Sequence, residues 1–530
     1  MQGPAIKIAK ELGLFTVVAD GSSEAPCVSM ADQFEQIDLK DKEGIEALAR
    51  SLQNSGGLAG IMTAGTDFSA TVAWTAERLG LPGIPYEAAL NASDKARMRA
   101  CFKKAGLPSP EFIAITNDAL QDKPPLPFPL VLKPVDNMGG RGCRRVDTIE
   151  EYREAAAEAI RFSRSGRAIV EAFMDGPEFS VDAIVYRGEI TICGLADRHI
   201  FYPPFFIEMG HTMPTAFAPE QQEALLETFR AGVHALGLAG DNSVGAAKGD
   251  IKLTPSGPMI GEIAARLSGG YMSGWTYPYS SGVEPVRAAI LGAIGREPDC
   301  LVPQKPWTSA ERAFISIPGT VKTITGIDAA RKRRFVKDLF LRISEGGKVD
   351  FPRNNVSKCG NIISAAPDRA SAVEAAENAA RTILIRLDPS NPETGEFLAN
   401  AGTVFPPDAY PLGPALRAAL AALPDTKIQG QKPTGSSLQI VPFPAFLASG
   451  LKDYAGRSVS ESLQAVRKLS GLKLPEFHAE NAKKSQKPSD NNRNTLLGKE
   501  FWSALARGGY QGALYYIEGL GNREQGTRIR

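Results

Sequence analysis

Within its first 80 residues the chain switches twice between helical and strand patterning. Ile6, Ile8, Ala9 and Leu12 are spaced as one helix face closed by Gly13, and the apolar run LFTVVAD follows at once, ending at Asp20. A second helix–strand pair runs from Ile45 to Met62, and TAGTD then leads into a helix that stops at Gly80. Short apolar strands alternating with amphipathic helices bury both strand faces only in a parallel sheet with helices on either side. The pattern therefore predicts a doubly wound α/β domain over residues 1–90. Such a sheet normally opens on a strand and a glycine turn. Here the chain begins inside a helix, so a first strand upstream of Met1 is expected.

The next segments change pattern. NASDKARMRACFKKAG reads as a helix capped by Asn91 or Ser93 and ending near Gly106. The strand LVLKPV precedes a glycine-rich loop, NMGGRGCRRV; a helix from Ile149 to about Phe162 leads into the strand RAIVEAFM. EFSVDAIVYRGEITICGLADRH predicts a hairpin turning at Arg187-Gly188, and AAKGDIKLTPSGPMIGEIAARL one turning near Ser256-Gly257. A helix is expected between them, from about Gln221 to Leu236. Domains are expected at 91–300, at 301–398 (mixed strand and helix, with an alanine-rich helix from Ala370 to Ile385) and at 399–530. The last is an extension of one or two helices with a flexible linker over about 476–496.

Asp250 and Glu262 stand on the two arms of the second hairpin. Hairpin pairing can set them opposite each other with both carboxylates on one face. Two hard oxygen ligands there suit Mg²⁺, which keeps several waters and bridges to phosphates. Lys133 ends a strand beside the loop Asn137, Met138, Gly139, Gly140, Arg141 and Gly142, whose glycines let backbone N–H groups approach phosphate oxygens. Lys95 is a second lysine suited to phosphate. Glu171, at the end of its strand, is placed for an adenine edge and Glu178 for ribose hydroxyls. Each of these residues taken singly also reads as an ordinary surface or strand residue. The loop fits neither the Walker nor the dinucleotide fingerprint.

Taken in order, Lys95, LVLKPVDNMGGRG, VEAFMDGPEFSVD and GDIKLTPSGPMIGEIAARLSGG resemble the ATP-grasp superfamily over residues 4 to 395. The resemblance implies an N-terminal α/β domain, a two-part nucleotide-binding core, and a small β-rich C-terminal subdomain. It implies ATP phosphates on Lys95 and Lys133 under the 137–142 loop, and adenosine held by Glu171, the backbone near Met174, and Glu178. It further implies Mg²⁺ (one or two ions, with Mn²⁺ as a substitute) on Asp250 and Glu262, and Arg266 facing the transferred phosphoryl group. Ala264 stands where the family commonly has a third, asparagine ligand, and Asp250 where glutamate is more usual. The segment FFIEMGHTMPTAF is similar to L-amino-acid ligases, the carboxylate–amine branch; with it Glu208, His211, Gly269 and Gly270 are expected to line a substrate pocket that Tyr271 and Trp275 shape. Biotin carboxylase is a more distant likeness, because its Arg-x-Gln-Val-Glu-His signature is replaced by RLSGGYMSGWTYP.

The expected activity is thus ATP-dependent joining of an amino-acid-like carboxylate to an amine, both small molecules. The alternatives are an ATP-binding regulatory protein without turnover and a carboxylase. Composition fits this and excludes other classes. Lys plus Arg (60) balances Asp plus Glu (59), which argues against a nucleic-acid partner. Six scattered cysteines and four histidines give no zinc cluster or disulfide framework. With no signal peptide or spanning apolar run in view, a cytoplasmic location without membrane association is expected. The extension is expected to cover the active site, build a homodimer or bind a partner.

Overall fold

The computed structural model describes residues 2–117, 124–427, 438–471 and 495–520. The chain divides into two compact units, one made of Met1–Glu311 with Ile363–Val373, the other of Arg312–Ile362 with Glu374–Arg530.

In the first unit the helix Gly3–Glu11 precedes the strand Val17–Asp20, which pairs in parallel with Gln33–Gln36. The expected α/β alternation is present, with one correction. The apolar run around Leu58–Met62 joins no ladder among the described residues. Its backbone lies instead against the helix Pro285–Ala293, where a Cβ on Gly60 would sit 2.2 Å from the Ala293 carbonyl oxygen. The helix expected to be capped by Asn91 or Ser93 starts at Lys95, and its cap is Asp94, whose carboxylate accepts from the backbone N–H of Ala96 and Arg97. Asn91 and Ser93 belong to the preceding helix, Tyr86–Ser93.

Two sheets frame the helix Lys95–Lys104. One has the strand order Phe112–Thr116, Arg167–Ala172, Leu130–Pro134, Arg144–Val146, covered by the helix Ile149–Phe162. In the other, antiparallel strands follow one another as Gly257–Ala264, Val244–Thr254, Glu178–Tyr186, Glu189–Phe201 and Ile207–Met213. Both hairpins turn where the sequence places them, with Arg187 and Gly188 at φ 49° and 84°. Met98 and Phe102 face inward with Phe229 of the helix Pro219–Ala235 and Ile251, Ile260 and Ile263 of the sheet. Fully burying such a side chain stabilises by roughly 1.5–3 kcal/mol, so the amphipathic face of this one helix locks the sheet and fixes where Lys95 projects.

The second unit contains Gly319–Thr325 paired with Lys348–Val349 and with Leu384–Leu387. The alanine-rich helix is shorter than expected, Arg369–Thr382 in place of Ala370 to Ile385, because Ile385 is taken into the Leu384–Leu387 strand. Residues of the extension share a core with Leu384: Tyr410, Phe443, Phe446, Val466, Phe501, Trp502 and Leu505 are buried together. A parallel ladder, Leu438–Ile440 with Thr495–Leu497, closes it. The linker expected over 476–496 lies outside the described residues as far as 494; Thr495 and Leu496 are in that ladder. The final helix, Lys499–Gly519, breaks at Gly509 (φ 60°, ψ −150°), where the chain folds back so closely that a Cβ on Gly512 would meet the Ala504 carbonyl oxygen at 2.2 Å.

Candidate active site

The hairpin Val244–Thr254/Gly257–Ala264 pairs Asp250 directly with Glu262. Directly opposed residues of an antiparallel pair point to the same face, so both carboxylates share one face of the hairpin. Lys95 reaches Glu262: its Nζ lies 3.6 Å from Glu262 Oε1 and donates to the Asn137 carbonyl at 2.9 Å. One lysine thereby ties the glycine loop to Glu262. Burial alone would raise the Glu262 carboxyl, but Lys95, Lys248, Lys133 and Arg266 together bring it down to about 2.

Lys133 and Glu171 come from neighbouring strands, Leu130–Pro134 and Arg167–Ala172. Their ion pair is 2.6 Å long, and Arg99, one helical turn after Lys95, holds the other Glu171 oxygen at 2.7 Å. Glu171 is 1% exposed. Its carboxylate is held inward between Arg99 and Lys133 at the end of the strand. Arg99 also donates to the Gly261 carbonyl at 2.5 Å, which links the helix to the hairpin that carries Asp250 and Glu262. In the loop, Gly139, Gly140 and Gly142 have φ of 69°, 76° and 64°, backbone that favours glycine. Asn137 pins the loop by donating to the Phe162 carbonyl at 2.7 Å while its side-chain oxygen accepts from Met138 N–H. Arg141 is half-buried.

Glu178 is in register with Arg198 on the neighbouring strand, and the two form an ion pair. The Met174 carbonyl accepts from Lys252 at 3.2 Å. Glu208 accepts from Arg198 at 2.8 Å. His211 is fully buried, with Nε2 3.0 Å from Thr276 Oγ1 and Nδ1 3.5 Å from Glu311. Arg266 is held by Asp67 at 3.3 Å and by the Leu267 carbonyl, and its buried Nε has no hydrogen-bond partner among the described residues. The next turn, Ser268 with Gly269 and Gly270, is anchored on Asp182, which accepts from both Ser268 N–H and Oγ. Tyr271 packs edge-on against Trp275 at 5.4 Å.

The structure thus gathers Lys95, Lys133, the loop, Glu171, Asp250, Glu262 and Arg266 around one face, with Glu178 and Glu208 joined to it through Arg198. Three family descriptions match in chain order: "ATP-grasp N-terminal domain" at 6–83, "ATP-grasp domain" at 126–273, and "L-amino acid ligase C-terminal domain 2" at 313–388. The chain carries an ATP-grasp domain. Relatives of this ATP-grasp chain include a D-alanine–D-alanine ligase of Granulibacter bethesdensis, 31% identical over 30% of this chain and 53% of that one. Carnosine synthase 1 of Gallus gallus is 24% identical over 43% of this chain and 26% of its own length. The chain spans about half the length of the first and a quarter of the second. Among solved structures, L-amino acid ligase from Bacillus licheniformis shares the fold, with a TM-score of 0.63 and 23% identity over 73% of this chain and 96% of that chain.

Against this ATP-grasp frame, the sequence reading omitted Arg99, Arg198 and Lys248. Lys248 pairs with Asp250 and sits two positions before it on one strand, so strand alternation alone places both on one face. Arg99 carries no local signal, because Glu171 lies 72 positions away; Arg198 meets Glu178 and Glu208 only through the register of neighbouring strands. Among the described residues no three His, Cys, Asp or Glu side chains cluster as a metal site, and Ala264 is buried. The opposed pair Asp250 and Glu262 nevertheless fits Mg²⁺, an ion that takes one or two carboxylates and completes its shell with phosphate oxygens and water. No helix among the described residues is long and apolar enough to cross a membrane.

Proposed function

We propose that this chain is an ATP-dependent carboxylate–amine ligase acting on amino-acid-like substrates. The observation that carries the reading is the direct pairing of Asp250 with Glu262 within a ring of Lys95, Lys133, Lys248 and Arg266. Cations around a hard-carboxylate pair suit phosphoryl transfer, in which catalysis is mostly positioning and charge neutralisation. By name, the D-alanine–D-alanine ligase and the L-amino acid ligase join amino acids, which supports the substrate class.

In the proposed reaction a carboxylate oxygen attacks the γ-phosphorus and ADP leaves. The amine then attacks the acyl carbon, phosphate departs, and the amine proton passes to solvent. Lys95 and Lys133 bind the phosphates, and Glu178 takes the ribose. Asp250 and Glu262 would hold Mg²⁺, which when bound screens the triphosphate from the attacking carboxylate. Lys248 and the spare Nε donor of Arg266 neutralise charge on the transferring oxygens. Glu208 and His211 border the substrate side with Gly269 and Gly270. The loop 137–142, tethered through Asn137 to Lys95, closes over the phosphates and keeps water from the acyl phosphate.

The test is ADP formation from ATP and Mg²⁺ across pairs of amino acids. Turnover that requires both an acid and an amine, and that falls on the order of 10²-fold in Glu262→Gln, is expected. Tight ATP binding with no ADP from any pair would favour the reading that the buried Ala264 supports, a nucleotide-binding protein without turnover. ATP cleavage dependent on bicarbonate would point to a carboxylase.

A further inference from the structure

The sheet places Glu178, Arg198 and Asp250 on three adjoining strands, with Glu178 opposite Arg198 and Asp250 opposite Ser180. Arg198 lies buried among three carboxylates. Its Nη1 contacts Glu178 and, at 2.9 Å, Asp250 Oδ1; its Nη2 donates to Glu208 Oε2 at 2.8 Å. Lys248 takes the second Asp250 oxygen, and Lys252 lies 3.8 Å from Glu178. Three cations therefore face three carboxylates, and both oxygens of Asp250 are already engaged by positive charge.

A divalent cation approaching this balanced cluster alone adds two positive charges beside Arg198 and Lys248. Arriving with a polyphosphate, it brings its own compensating charge, and the ribose hydroxyls offer Glu178 another partner. We infer that Arg198 is a positioning residue that acts as an internal counter-cation, making divalent-metal binding at Asp250 depend on the nucleotide and linking both to the orientation of Glu208. This rests on the reading of Asp250 as a metal ligand.

The experiment titrates Mn²⁺ into the full chain with and without ADP, counting free Mn²⁺ by electron paramagnetic resonance and subtracting the Mn²⁺ that the same ADP binds in a protein-free control. In the wild type ADP should strengthen Mn²⁺ binding by on the order of 10-fold or more. In Arg198→Met, Mn²⁺ alone should bind about 10-fold tighter, and the ADP effect should shrink correspondingly. Arg198→Lys, which keeps the charge, should stay close to wild type. A purely structural role would lower all affinities together and leave the ADP dependence intact. Unchanged or weaker binding of Mn²⁺ alone in Arg198→Met overturns the inference. Should that variant fail to fold, equal Mn²⁺ affinity with and without ADP in the wild type overturns it as well. Asp250→Asn separates the two ideas. If ADP-dependent Mn²⁺ binding survives that substitution, the metal-ligand reading fails; if it is lost while Arg198→Met changes nothing, only the role of Arg198 fails.

Discussion

Glu171 and Lys133 form a buried ion pair with Oε2 2.6 Å from Nζ, and Arg99 closes the other side of the same carboxylate. Burial would raise the Glu171 carboxyl, yet Arg99 and Lys133 bring it from 4.5 to about 2. Burial likewise opposes the charge on Lys133, and Glu171 more than restores it, leaving the ammonium above its ordinary value. The carboxylate thus maintains the charged lysine that the loop Asn137–Gly142 adjoins.

Removing that charge leaves two buried cations without an ionised partner, so Glu171→Gln should cost about 3–5 kcal/mol. The pH dependence has a definite sign. A carboxyl lowered on folding contributes stability above its unfolded value, and that contribution is lost as pH falls from about 4.5 toward 2. Urea midpoints between pH 3 and 7 should drop steeply at the acid end for wild type and less so for Glu171→Gln. Equal acid slopes in the two proteins would refute the assignment.

Asp182 should behave in the opposite sense. Burial dominates there and raises its carboxyl from 3.8 to about 6, even though Ser268 donates to it. The native chain then keeps a proton that the unfolded chain releases, so this contribution is full below about 3.8 and is lost as pH rises toward 6. In Asp182→Asn the difference in stability from wild type should grow more favourable to the variant across that window. A difference curve that is flat with pH would show that Asp182 does not titrate there.

The expectations that held are those with a local cause. Alternation and a Ser256-Gly257 turn suffice to set Asp250 opposite Glu262, and the helix Ile149–Phe162 lies where its apolar spacing puts it. Leu58–Met62 is short and apolar like a strand, but pairing depends on a neighbour that composition does not specify, and it packs against a helix instead. The inward turn of Glu171 depends on Arg99, 72 positions away, and the Arg198 cluster draws on four strands. Charged residues on strands look alike until the register is known. The extension, with Pro-rich and polar stretches, hides its core because Trp502 and its aromatic neighbours are spread over roughly sixty positions.

Gly249 gives a steric prediction beside the carboxylate pair. A Cβ there would lie 2.5 Å from Cδ2 of Phe229, a fully buried ring in the core behind the sheet. Gly249→Ala should cost about 1–3 kcal/mol by overpacking, and the strand shift it forces should displace the adjacent Asp250. Both the urea midpoint and the rate of ADP formation should fall. Phe229→Leu in the same chain should recover part of the loss; no recovery would mean that the ring is not the obstacle.

Trp502 tests the core of the second unit. It is fully buried, edge-on to Phe443, Phe446 and Phe501 at 5.7, 6.0 and 5.3 Å, and its indole N–H donates to the Val441 carbonyl at 2.8 Å. Trp502→Ala removes the ring and orphans that carbonyl, so a loss of about 3–5 kcal/mol from the cavity is expected, with a further ~1–3 kcal/mol for the unsatisfied acceptor. Trp502→Phe keeps most of the ring contacts and should lose only the hydrogen bond, about 1–3 kcal/mol for the same orphaned carbonyl. Because local openings follow local stability, limited proteolysis of Trp502→Ala should cut first within residues 399–520, while Trp502→Phe resists. If both variants are cut there at the wild-type rate, the aromatic cluster around Trp502 is not what holds the extension together.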